Sequence, residues 1–361
     1  MNPDLLRAVT PMSTRKFRVG IIGGGGIAQA VHIPGWKNLP EVEIVGVADV
    51  SEPTAKKAAA AAGASQVFSD YRDLLKLDLD AVDICTPNKV HTPAVLAALA
   101  AGKHVLCEKP LAVTTAEVRE MGQAADAKGL KLMTGQHQRF TTPGVAAKAW
   151  IDGGNLGEAY HARVRAMRRA GLPPAAGFID AKLSGGGPCM DIGVHALDLC
   201  MWLMGFPKPV RVSGSAKTVF AKGHGMPNLW GAWDRERYSV EDFATGYIHF
   251  DNGATMVLES AWMSHQEEQE ELLAQLYGTK GGLKWPDAKF VTVVNGTHAQ
   301  GSLTHPVHVQ HPHWNEIAAF YDCVVNGKQS PVPWTETIKV IAILEAIYAS
   351  STEGREVVPK L

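Results

Sequence analysis

The fold is decided near the start of the chain, where residues 17–28 read FRVGIIGGGGIA. The stretch begins as an apolar run, continues through consecutive glycines and leads into the periodic segment Ile27–Asn38. This order predicts a buried strand, a tight turn and a helix. Within the turn, Gly23, Gly25 and Ala28 match the spacing G-x-G-x-x-A.

Each position of this spacing has a physical task in holding a dinucleotide. Gly23 allows the tight turn, and Gly25 with Gly26 lets the backbone approach a pyrophosphate. Ile27 opens the helix, whose N-terminal amides and dipole attract phosphates, and Ala28 permits close packing of helix on strand. We expect all five residues to contact a dinucleotide, with a plain structural turn as the alternative for the motif taken alone.

The first third of the chain alternates short apolar runs with alanine-rich periodic segments. This alternation predicts β-α-β units with right-handed crossovers, and hence a doubly wound, parallel Rossmann domain over residues 14–140 of an α/β protein. The predicted strands are Phe17–Ile22, Val42–Ala48, Ala81–Cys85, His104–Cys107 and Lys131–Thr134, and the predicted helices are Ile27–Asn38, Glu52–Ala62, Pro93–Ala101 and Thr115–Lys128.

An acid at the end of the second predicted strand sets the cofactor preference. A carboxylate at the position of Asp49 accepts hydrogen bonds from the adenosine ribose and repels the 2′-phosphate of NADP. No Lys or Arg follows until Lys56. The sequence therefore predicts NAD rather than NADP, with helix capping as the alternative role for Asp49.

The loop after the third predicted strand reaches the same edge of the sheet. It reads Cys85-Thr86-Pro87-Asn88, and His91 follows in the next helix. Ligands of open α/β sheets bind outside the carboxyl ends of the strands. We expect Thr86, Pro87, Asn88 and His91 to contact the cofactor, although an ordinary helix N-cap with a proline explains the segment equally well.

After residue 140 the pattern changes to strands separated by turn signals. We predict an α+β domain over residues 141–361 with a large, open and mostly antiparallel sheet, closed by a helix at Thr335–Tyr348. The strands predicted for this sheet are Tyr160–Met167, Val210–Ala216, Thr245–Phe250, Thr255–Ala261, Leu272–Tyr277 and Phe290–Val294.

Composition narrows the choice of partner and compartment. In 361 residues, 35 Lys and Arg balance 36 Asp and Glu, which does not favour nucleic acid and suits a small ligand. The 5 cysteines are an odd number with no Cys-x-x-Cys pair, so no disulfide framework is expected. No run is apolar enough to span a membrane, and the first sixteen residues lack the core of a signal peptide. We therefore expect a cytoplasmic protein.

Two later motifs make a family resemblance specific. Cys107-Glu108-Lys109-Pro110 ends the fourth predicted strand, and Asp191-Ile192-Gly193-Val194-His195 follows the glycines at 185–187. With the glycine turn and Thr86-Pro87-Asn88, they resemble the Gfo/Idh/MocA family, named after glucose–fructose oxidoreductase and inositol dehydrogenase. The resemblance covers nearly the whole chain. Only the first sixteen residues and the stretch around 220–235 lack a counterpart.

The resemblance assigns roles to the residues of these motifs. It implies that Lys109 contacts the nicotinamide ribose and the reacting hydroxyl, that Glu108 contacts the cofactor, and that His195 is the general base with Asp191 as its acidic companion. An imidazole suits the removal of a hydroxyl proton near neutrality, and an ammonium stabilises alkoxide charge. Asp191 and His195 are one helical turn apart and share a face. A metal pair or a structural pair are the alternatives, but no third ligand is evident, so no metal is predicted.

The implied activity is reversible, NAD-dependent oxidation of a secondary hydroxyl on a sugar, inositol or related polyol held between the two domains. Two other functions stay open: a glycoside hydrolase or lyase that oxidises its substrate transiently, and a non-catalytic ligand-sensing regulator. Lys109, Asp191 and His195 together speak against the regulator, which needs no base. The resemblance also implies that the last helix returns to the first domain and that the open sheet forms a homodimer or homotetramer.

Further polar residues are weaker candidates for the substrate site. His137 follows the last strand of the first domain, and Arg168 and Arg169 leave a predicted strand, so all three are predicted substrate contacts. A linker histidine and a solvated sheet face are their alternatives, and Arg163 and Arg165 fit the solvated face.

Aromatic and histidine clusters in the second domain are explained by structural roles that need no ligand. For Trp230, Trp233 and Tyr238 a place in the core is favoured over a platform for a sugar ring. A histidine run precedes a predicted helix at Asn315, and a capped loop is a simpler explanation than a metal site. The run consists of His305, His308, His311 and His313.

Overall fold

The computed structural model describes residues 15–223, 225–305 and 311–361. Its first sheet has six parallel strands in the order β3-β2-β1-β4-β5-β6. The chain adds strands outward on one side from β1 to β3 and then crosses over to add β4 to β6 on the other side. This order is that of a dinucleotide-binding Rossmann sheet. The strands are β1 Phe17–Ile22, β2 Val42–Ala48, β3 Gln66–Phe68, β4 Ala81–Ile84, β5 His104–Cys107 and β6 Leu132–Thr134.

Helices cover both faces of this sheet, because its strands are apolar on both sides. Ser51 caps α2 and Gly63 ends it in the left-handed conformation, so the predicted bounds of that helix are confirmed. α4 begins at Asn88 and carries Pro93 inside it, earlier than predicted, because its buried face outweighs the local cost of the proline. The helices are α1 Ile33–Lys37, α2 Glu52–Ala62, α3 Tyr71–Leu74, α4 Asn88–Ala100 and α5 Thr115–Ala127.

The second sheet has eight strands in the order β14-β13-β12-β11-β7-β10-β9-β8. Its neighbouring strands are antiparallel except β7 and β10, which run parallel. The predicted large, mostly antiparallel sheet is therefore confirmed. The strands are β7 Ala159–Arg168, β8 Pro209–Lys217, β9 Phe243–Phe250, β10 Thr255–Ala261, β11 Glu270–Gly278, β12 Gly281–Trp285, β13 Lys289–Val294 and β14 Thr297–Ser302.

The remaining helices pack between and around the two sheets. α9 lies against β7 and β11, which places its N-terminus beside the first sheet. Two turns of π-helix, Ala28–His32 before α1 and Cys189–Gly193 before α9, interrupt the regular backbone. The helices are α6 Thr142–Asp152, α7 Ala176–Ile179, α8 Ala181–Ser184, α9 Val194–Leu203, α10 Pro312–Val325 and α11 Trp334–Glu353.

The end of the chain returns to the first sheet. Ile317 and Phe320 of α10 belong to the same buried cluster as Trp36 of α1. α11 packs on both α5 and β8, and its Glu345 accepts hydrogen bonds from the backbone and hydroxyl of Thr115 at 3.0 and 2.8 Å. These C-terminal helices hold the two sheets together and so fix the space between them.

All 5 cysteines are free and buried. Among the described residues, none of the helices combines the length and the apolar character that a membrane crossing requires.

Candidate functional site

A cavity of about 720 Å³ lies between the two sheets, where β1, β4 and β5 end at one edge of the first sheet. This is the place where open α/β sheets bind ligands. It brings together twelve of the residues predicted from the sequence: Gly25, Gly26, Ile27, Thr86, Pro87, Asn88, Glu108, Lys109, His137, Arg168, Asp191 and His195.

The glycine turn leaves bare backbone at the cavity. Gly23 has φ of +92°, and a Cβ there would lie 2.7 Å from the carbonyl oxygen of Cys85, so only glycine fits. A Cβ at Gly25 or Gly26 would meet nothing within 4 Å. The space in front of these two glycines suits a pyrophosphate that approaches the backbone closely.

Asp49 closes the corner beside this turn. Its carboxylate accepts hydrogen bonds from the backbone N–H of Gly24 at 2.9 Å and of Ser51 at 2.8 Å. The ammonium of Lys56 forms an ion pair with Glu52 at 2.6 Å. A fixed carboxylate at this corner, with its nearest following cation engaged elsewhere, suits the ribose of NAD better than the phosphate of NADP.

The Thr86-Pro87-Asn88 loop faces the cavity and does not cap its helix. Pro87 occupies the N-cap position of α4 without a side-chain hydrogen bond, which removes the capping explanation. The Thr86 hydroxyl is buried and has no hydrogen-bond partner among the described residues. Asn88 donates to the carbonyl of Ser184 at 2.8 Å, and thereby ties the loop to the second half of the chain. An unpartnered buried hydroxyl here fits a bound polar ligand.

His91 does not line this cavity, contrary to the predicted cofactor contact. The side chain is fully buried, and its two ring nitrogens lie 2.8 and 2.9 Å from the carbonyl oxygens of Pro110 and Thr86. The ring therefore holds the Thr86 and Lys109 loops together from behind. Its geometry assigns it to positioning the loops.

Lys109 and Asp191 meet across the cavity. The Lys109 ammonium donates to the Asp191 carboxylate at 3.1 Å and to its backbone carbonyl at 2.9 Å. The second carboxylate oxygen accepts from the indole N–H of Trp262 at 3.0 Å. Within the described part of the chain, the partners of this carboxylate are thus Lys109 and Trp262, whereas the resemblance paired Asp191 with His195.

Three histidine rings, of which two stack and the third meets them edge to face, line the cavity with this ion pair. The rings of His137 and His195 have centroids 4.8 Å apart, and those of His137 and His313 stack at 3.8 Å. The Nδ1 atom of His195 is buried and has no partner among the described residues. Burial lowers the pKa of His195 well below 6.5, and the charge of Lys109 lowers it further. Burial likewise lowers the pKa of His137 to about 3 and that of His313 to about 4, so all three rings are neutral near pH 7.

Glu108 connects the cavity to a buried network that the sequence analysis did not identify. His32 lies between Asp83 and Glu108, with its ring nitrogens 2.8 Å from each carboxylate. Burial alone would raise the pKa of Glu108, but the hydrogen bond and charge of His32 outweigh it and lower that pKa to about 2. Glu108 also accepts a hydrogen bond from the backbone N–H of Lys109 at 3.0 Å. By holding Glu108, His32 therefore helps to fix the backbone position of Lys109. The sequence feature that could have predicted this network is Asp83. An acid within an apolar strand is buried and therefore needs a hydrogen-bond partner.

A second buried network, around Arg139, was also missed. Its guanidinium donates to both carboxylate oxygens of Asp198 at 2.7 Å and to Glu336 at 2.6 Å. The Arg139 and Asp198 side chains are 2% and 0% exposed, and removing one partner of such a buried pair costs about 3–5 kcal/mol. This network attaches the turn containing His137 to α9, the helix that contains His195.

The arginines after β7 divide between the cavity and the surface. Arg168 lines the cavity, where its guanidinium carbon lies 4.4 Å from the ring centroid of Trp230. Arg169 is exposed and donates to the carbonyl of Glu267 at 3.0 Å, so it does not line this cavity as predicted. Its side chain points along the loop because adjacent strand residues face opposite sides.

The aromatic cluster divides as well. Trp233 and Tyr238 are buried in the core, as favoured from the sequence, whereas Trp230 is 48% exposed and lines the cavity. Of the histidine run, His311 stacks on Trp314 with centroids 4.0 Å apart, and His313 joins the site. His308 lies outside the described residues.

One set of buried groups has the composition of a metal site. Among the described residues, His32, Asp83 and Cys85 bring one potential ligand atom each within 4.8 Å of the others. His32 and Asp83 are hydrogen-bonded to each other, and the indole N–H of Trp36 donates to Asp83 at 2.7 Å. Burial raises the pKa of the Cys85 thiol to about 12. A neutral thiol beside a satisfied acid–imidazole pair is explained by hydrogen bonding alone.

Comparisons with known proteins identify the family of the chain. Residues 17–136 match the family model described as an oxidoreductase family with an NAD-binding Rossmann fold, and residues 145–284 match the GFO/IDH/MocA C-terminal domain. The chain is similar to D-glucoside 3-dehydrogenase of Escherichia coli K12, at 34% identity over 96% of this chain and 98% of that protein. It is also similar to inositol 2-dehydrogenase of Rhizobium meliloti, at 25% identity over 94% and 98%. The crystal structure of an oxidoreductase domain protein from Kribbella flavida shares the fold, with a TM-score of 0.84 at 24% identity over 96% of this chain and all of that one.

Proposed function

The chain belongs to the GFO/IDH/MocA family of NAD-binding oxidoreductases, and from that premise we propose that it oxidises a secondary ring hydroxyl of a glucoside to a ketone. The observation that carries the proposal is the meeting of the Lys109 ammonium, the Asp191 carboxylate and the His195 ring in the cavity that the glycine turn also lines. Similarity to D-glucoside 3-dehydrogenase over nearly the whole chain supports a glucoside and its 3-hydroxyl.

Lys109 is the group that stabilises charge on the reacting oxygen. An ammonium has three N–H donors, and Asp191 accepts two of them, one at the carboxylate and one at the backbone carbonyl. The third is available to the substrate hydroxyl. Because both side chains are only 15% and 13% exposed, the ammonium acts in a poorly solvated site, where its stabilisation of a developing alkoxide is stronger than in water.

His195 is the proton acceptor. Its ring is neutral, because burial and the nearby charge of Lys109 lower its pKa well below 6.5. A neutral imidazole with an unpartnered nitrogen can take the hydroxyl proton as the C–O bond becomes a carbonyl. The stack of His137 and His313 fixes the orientation of the ring.

The remaining residues hold the reactants in place. When bound, NAD supplies the hydride acceptor, so that an alcohol and NAD⁺ give a ketone, NADH and a proton. The bare backbone of Gly25 and Gly26 would hold the pyrophosphate of this cofactor, Asp49 its adenosine ribose, and Thr86 with Asn88 its nicotinamide half. Glu108, held by His32, positions the loop from which Lys109 reaches the substrate.

A panel of substrates with NAD and with NADP tests the proposal. Methyl glucoside, free glucose and inositol are each mixed with the enzyme, and absorbance of the reduced nicotinamide is followed while the product is identified by mass spectrometry. We expect NADH in equal amount to a 3-keto glucoside. Cleavage of the glycoside without accumulation of NADH identifies the redox-neutral hydrolase or lyase. Binding of sugar without turnover of any compound identifies a sensor.

We also propose an oligomeric state and a cellular compartment for the protein. Exposed valines on β13 supply apolar area for a homodimer or homotetramer through the open sheet, with Val291 46% and Val293 57% exposed. Light scattering of the purified protein tests this assembly, and a monomer at all concentrations contradicts it. Five buried free thiols support a cytoplasmic location, which fractionation of the source cells tests.

A further inference from the structure

The cavity has two walls of different chemistry. The wall formed by the first sheet and α9 carries Glu108, Lys109, Asp191 and His195. The other wall is formed by residues 173–178 and by Trp230. It offers mainly carbon surface, from Pro173, Pro174, Ala175, Gly177, Phe178 and Trp230.

Trp230 has the features of a stacking platform. The guanidinium of Arg168 packs on its ring at 4.4 Å, and Arg168 is itself held by Glu270 at 2.8 Å. The Trp230 residue is nevertheless 48% exposed and borders the cavity, as does Phe178 at 39%. An indole backed by a cation and open to a cavity binds the apolar face of a flat ring.

The loop that carries Trp230 is anchored to the end of β7. The Asn228 side chain accepts from the backbone N–H of Leu172 at 3.0 Å and donates to its carbonyl at 2.8 Å. The backbone N–H of Leu229 donates to the carbonyl of Ala170 at 3.0 Å. These three hydrogen bonds hold the indole in place before any substrate arrives, which reduces the entropy lost on binding.

The platform borders the same cavity as the reacting centre. The sugar that is oxidised must place its hydroxyl at Lys109 and His195. Arg168 lines the same cavity as these two side chains. Trp230 packs on Arg168, and both line the cavity that holds Lys109 and His195. A ring attached to the oxidised sugar can therefore extend towards the indole.

We propose that Trp230 and Phe178 form a second subsite, which binds a ring attached to the oxidised sugar. The inference rests on the proposed function and deepens it. The preferred substrates are glucosides whose anomeric substituent is itself a ring with an apolar face, either an aromatic group or a second sugar. A methyl substituent is too small to reach the indole, so methyl glucoside uses only the first subsite.

Relative specificity measures this subsite. For wild type, kcat/KM is determined with NAD for phenyl glucoside, cellobiose and methyl glucoside, and the same is done for Trp230→Ala and Trp230→Phe. We expect wild type to favour the ring-bearing substrates over methyl glucoside by roughly tenfold, which is the size of one good stacking contact. Trp230→Ala brings the ratio close to one, and Trp230→Phe keeps most of it. A preference for phenyl glucoside alone identifies the aromatic source, and one for cellobiose alone identifies the sugar.

Leu229→Ala is the matched control, because Leu229 is 61% exposed beside Trp230 and does not line the cavity. Its substrate ratio stays that of wild type. A ratio near one in wild type, or an unchanged ratio in Trp230→Ala, overturns the subsite. If no glucoside is oxidised, the proposed function fails, and calorimetric titration of phenyl glucoside into the NADH-bound proteins still decides the subsite. Weaker binding by Trp230→Ala then supports the subsite, and equal binding overturns it.

Discussion

The two walls of the cavity differ in how the chain builds them. On the first wall, functional groups follow directly after strands: Gly25 after β1, Thr86 after β4 and Lys109 after β5. On the second wall, Arg168 and Trp230 are distant in sequence and meet through side-chain packing and the hydrogen bonds of Asn228. Parallel strands deliver their carboxyl ends to one edge whatever the side chains are, so this part of the first wall is a property of the backbone. The second depends on individual tertiary contacts.

The two walls also differ in how deeply their side chains are buried. Behind the first wall, His32 and Asp83 are fully buried and mutually hydrogen-bonded, whereas Trp230 and Phe178 are partly open to solvent. Changes on the first wall remove groups that act on the reacting atoms in a poorly solvated site. Changes on the second remove apolar contact area. We therefore expect effects to decrease from the first wall to the second.

The largest effect is expected at Lys109. Lys109→Met keeps most of the length of the side chain but removes the ammonium, and should lower kcat by about a thousandfold or more, because the alkoxide loses its main electrostatic partner. NAD affinity, measured by calorimetry, should change little. Lys182→Met, at an exposed site outside the cavity, is the control for loss of a lysine. Turnover of Lys109→Met within a few-fold of wild type removes this residue from the mechanism.

His195→Asn should lower kcat/KM by about a hundredfold, the lower end of what a positioned base contributes. Burial and the charge of Lys109 hold the pKa of His195 well below 6.5, the value of a free imidazole. The wild-type profile of kcat/KM should then show no loss of activity with a midpoint near 6.5. His298→Asn, on the exposed β14, serves as control. A midpoint near 6.5 that disappears in His195→Asn contradicts the neutral ring.

These two residues show how far the sequence predicts the site. Lys109 and His195 lie in short motifs that the resemblance interprets. The structure places both at one cavity, with Lys109 after β5 of the first sheet and His195 on α9, which packs on the second sheet. The pairing of Asp191 with Lys109 was not predictable, because spacing within a helix does not say which group faces it from another element. His91 was assigned to the cofactor from its place in sequence, but its ring turns inward to two carbonyl oxygens.

The fold shows the same division. In the first domain, the strands and helices with strong periodicity were predicted, whereas β3, of three residues, and α3, of four, were not, because such short elements depend on packing more than on local pattern. In the second domain, α6, β12 and β14 were not predicted. The two π-helical turns, which carry His32 and Asp191, have no local sequence signature. Packing of α10 on the first sheet joins residues about 300 positions apart, as Ile317 and Trp36 illustrate.

A change at the rim of the first wall should have an intermediate effect. Asp49→Ser removes the charge that repels a 2′-phosphate and weakens hydrogen bonding to the ribose. The KM for NAD should rise roughly tenfold, the value of a hydrogen bond to a charged group, and the preference for NAD over NADP should shrink. Steady-state kinetics with both cofactors measures this. Asp73→Ser, at an exposed acid paired with Lys76, is the control. An unchanged preference would falsify the assignment of Asp49 to the ribose.

The smallest effect is expected at Asn228, which holds the second wall. Asn228→Ala removes one acceptor and two donated hydrogen bonds, to Leu172 and Gly231, but leaves every group at the reacting centre in place. The loop that carries Trp230 should become more mobile, so the backbone amide of Leu172 should exchange its hydrogen faster. The KM for ring-bearing glucosides should rise about two- to fivefold while kcat stays near wild type, because only preorganisation is lost. Asn155→Ala removes a comparable hydrogen bond, to the carbonyl of Trp150, away from the cavity. Exchange at Leu172 as slow as in wild type, together with an unchanged KM, means that the packing of Trp230 on Arg168 suffices to hold this wall, and that the hydrogen bonds of Asn228 do not set its position.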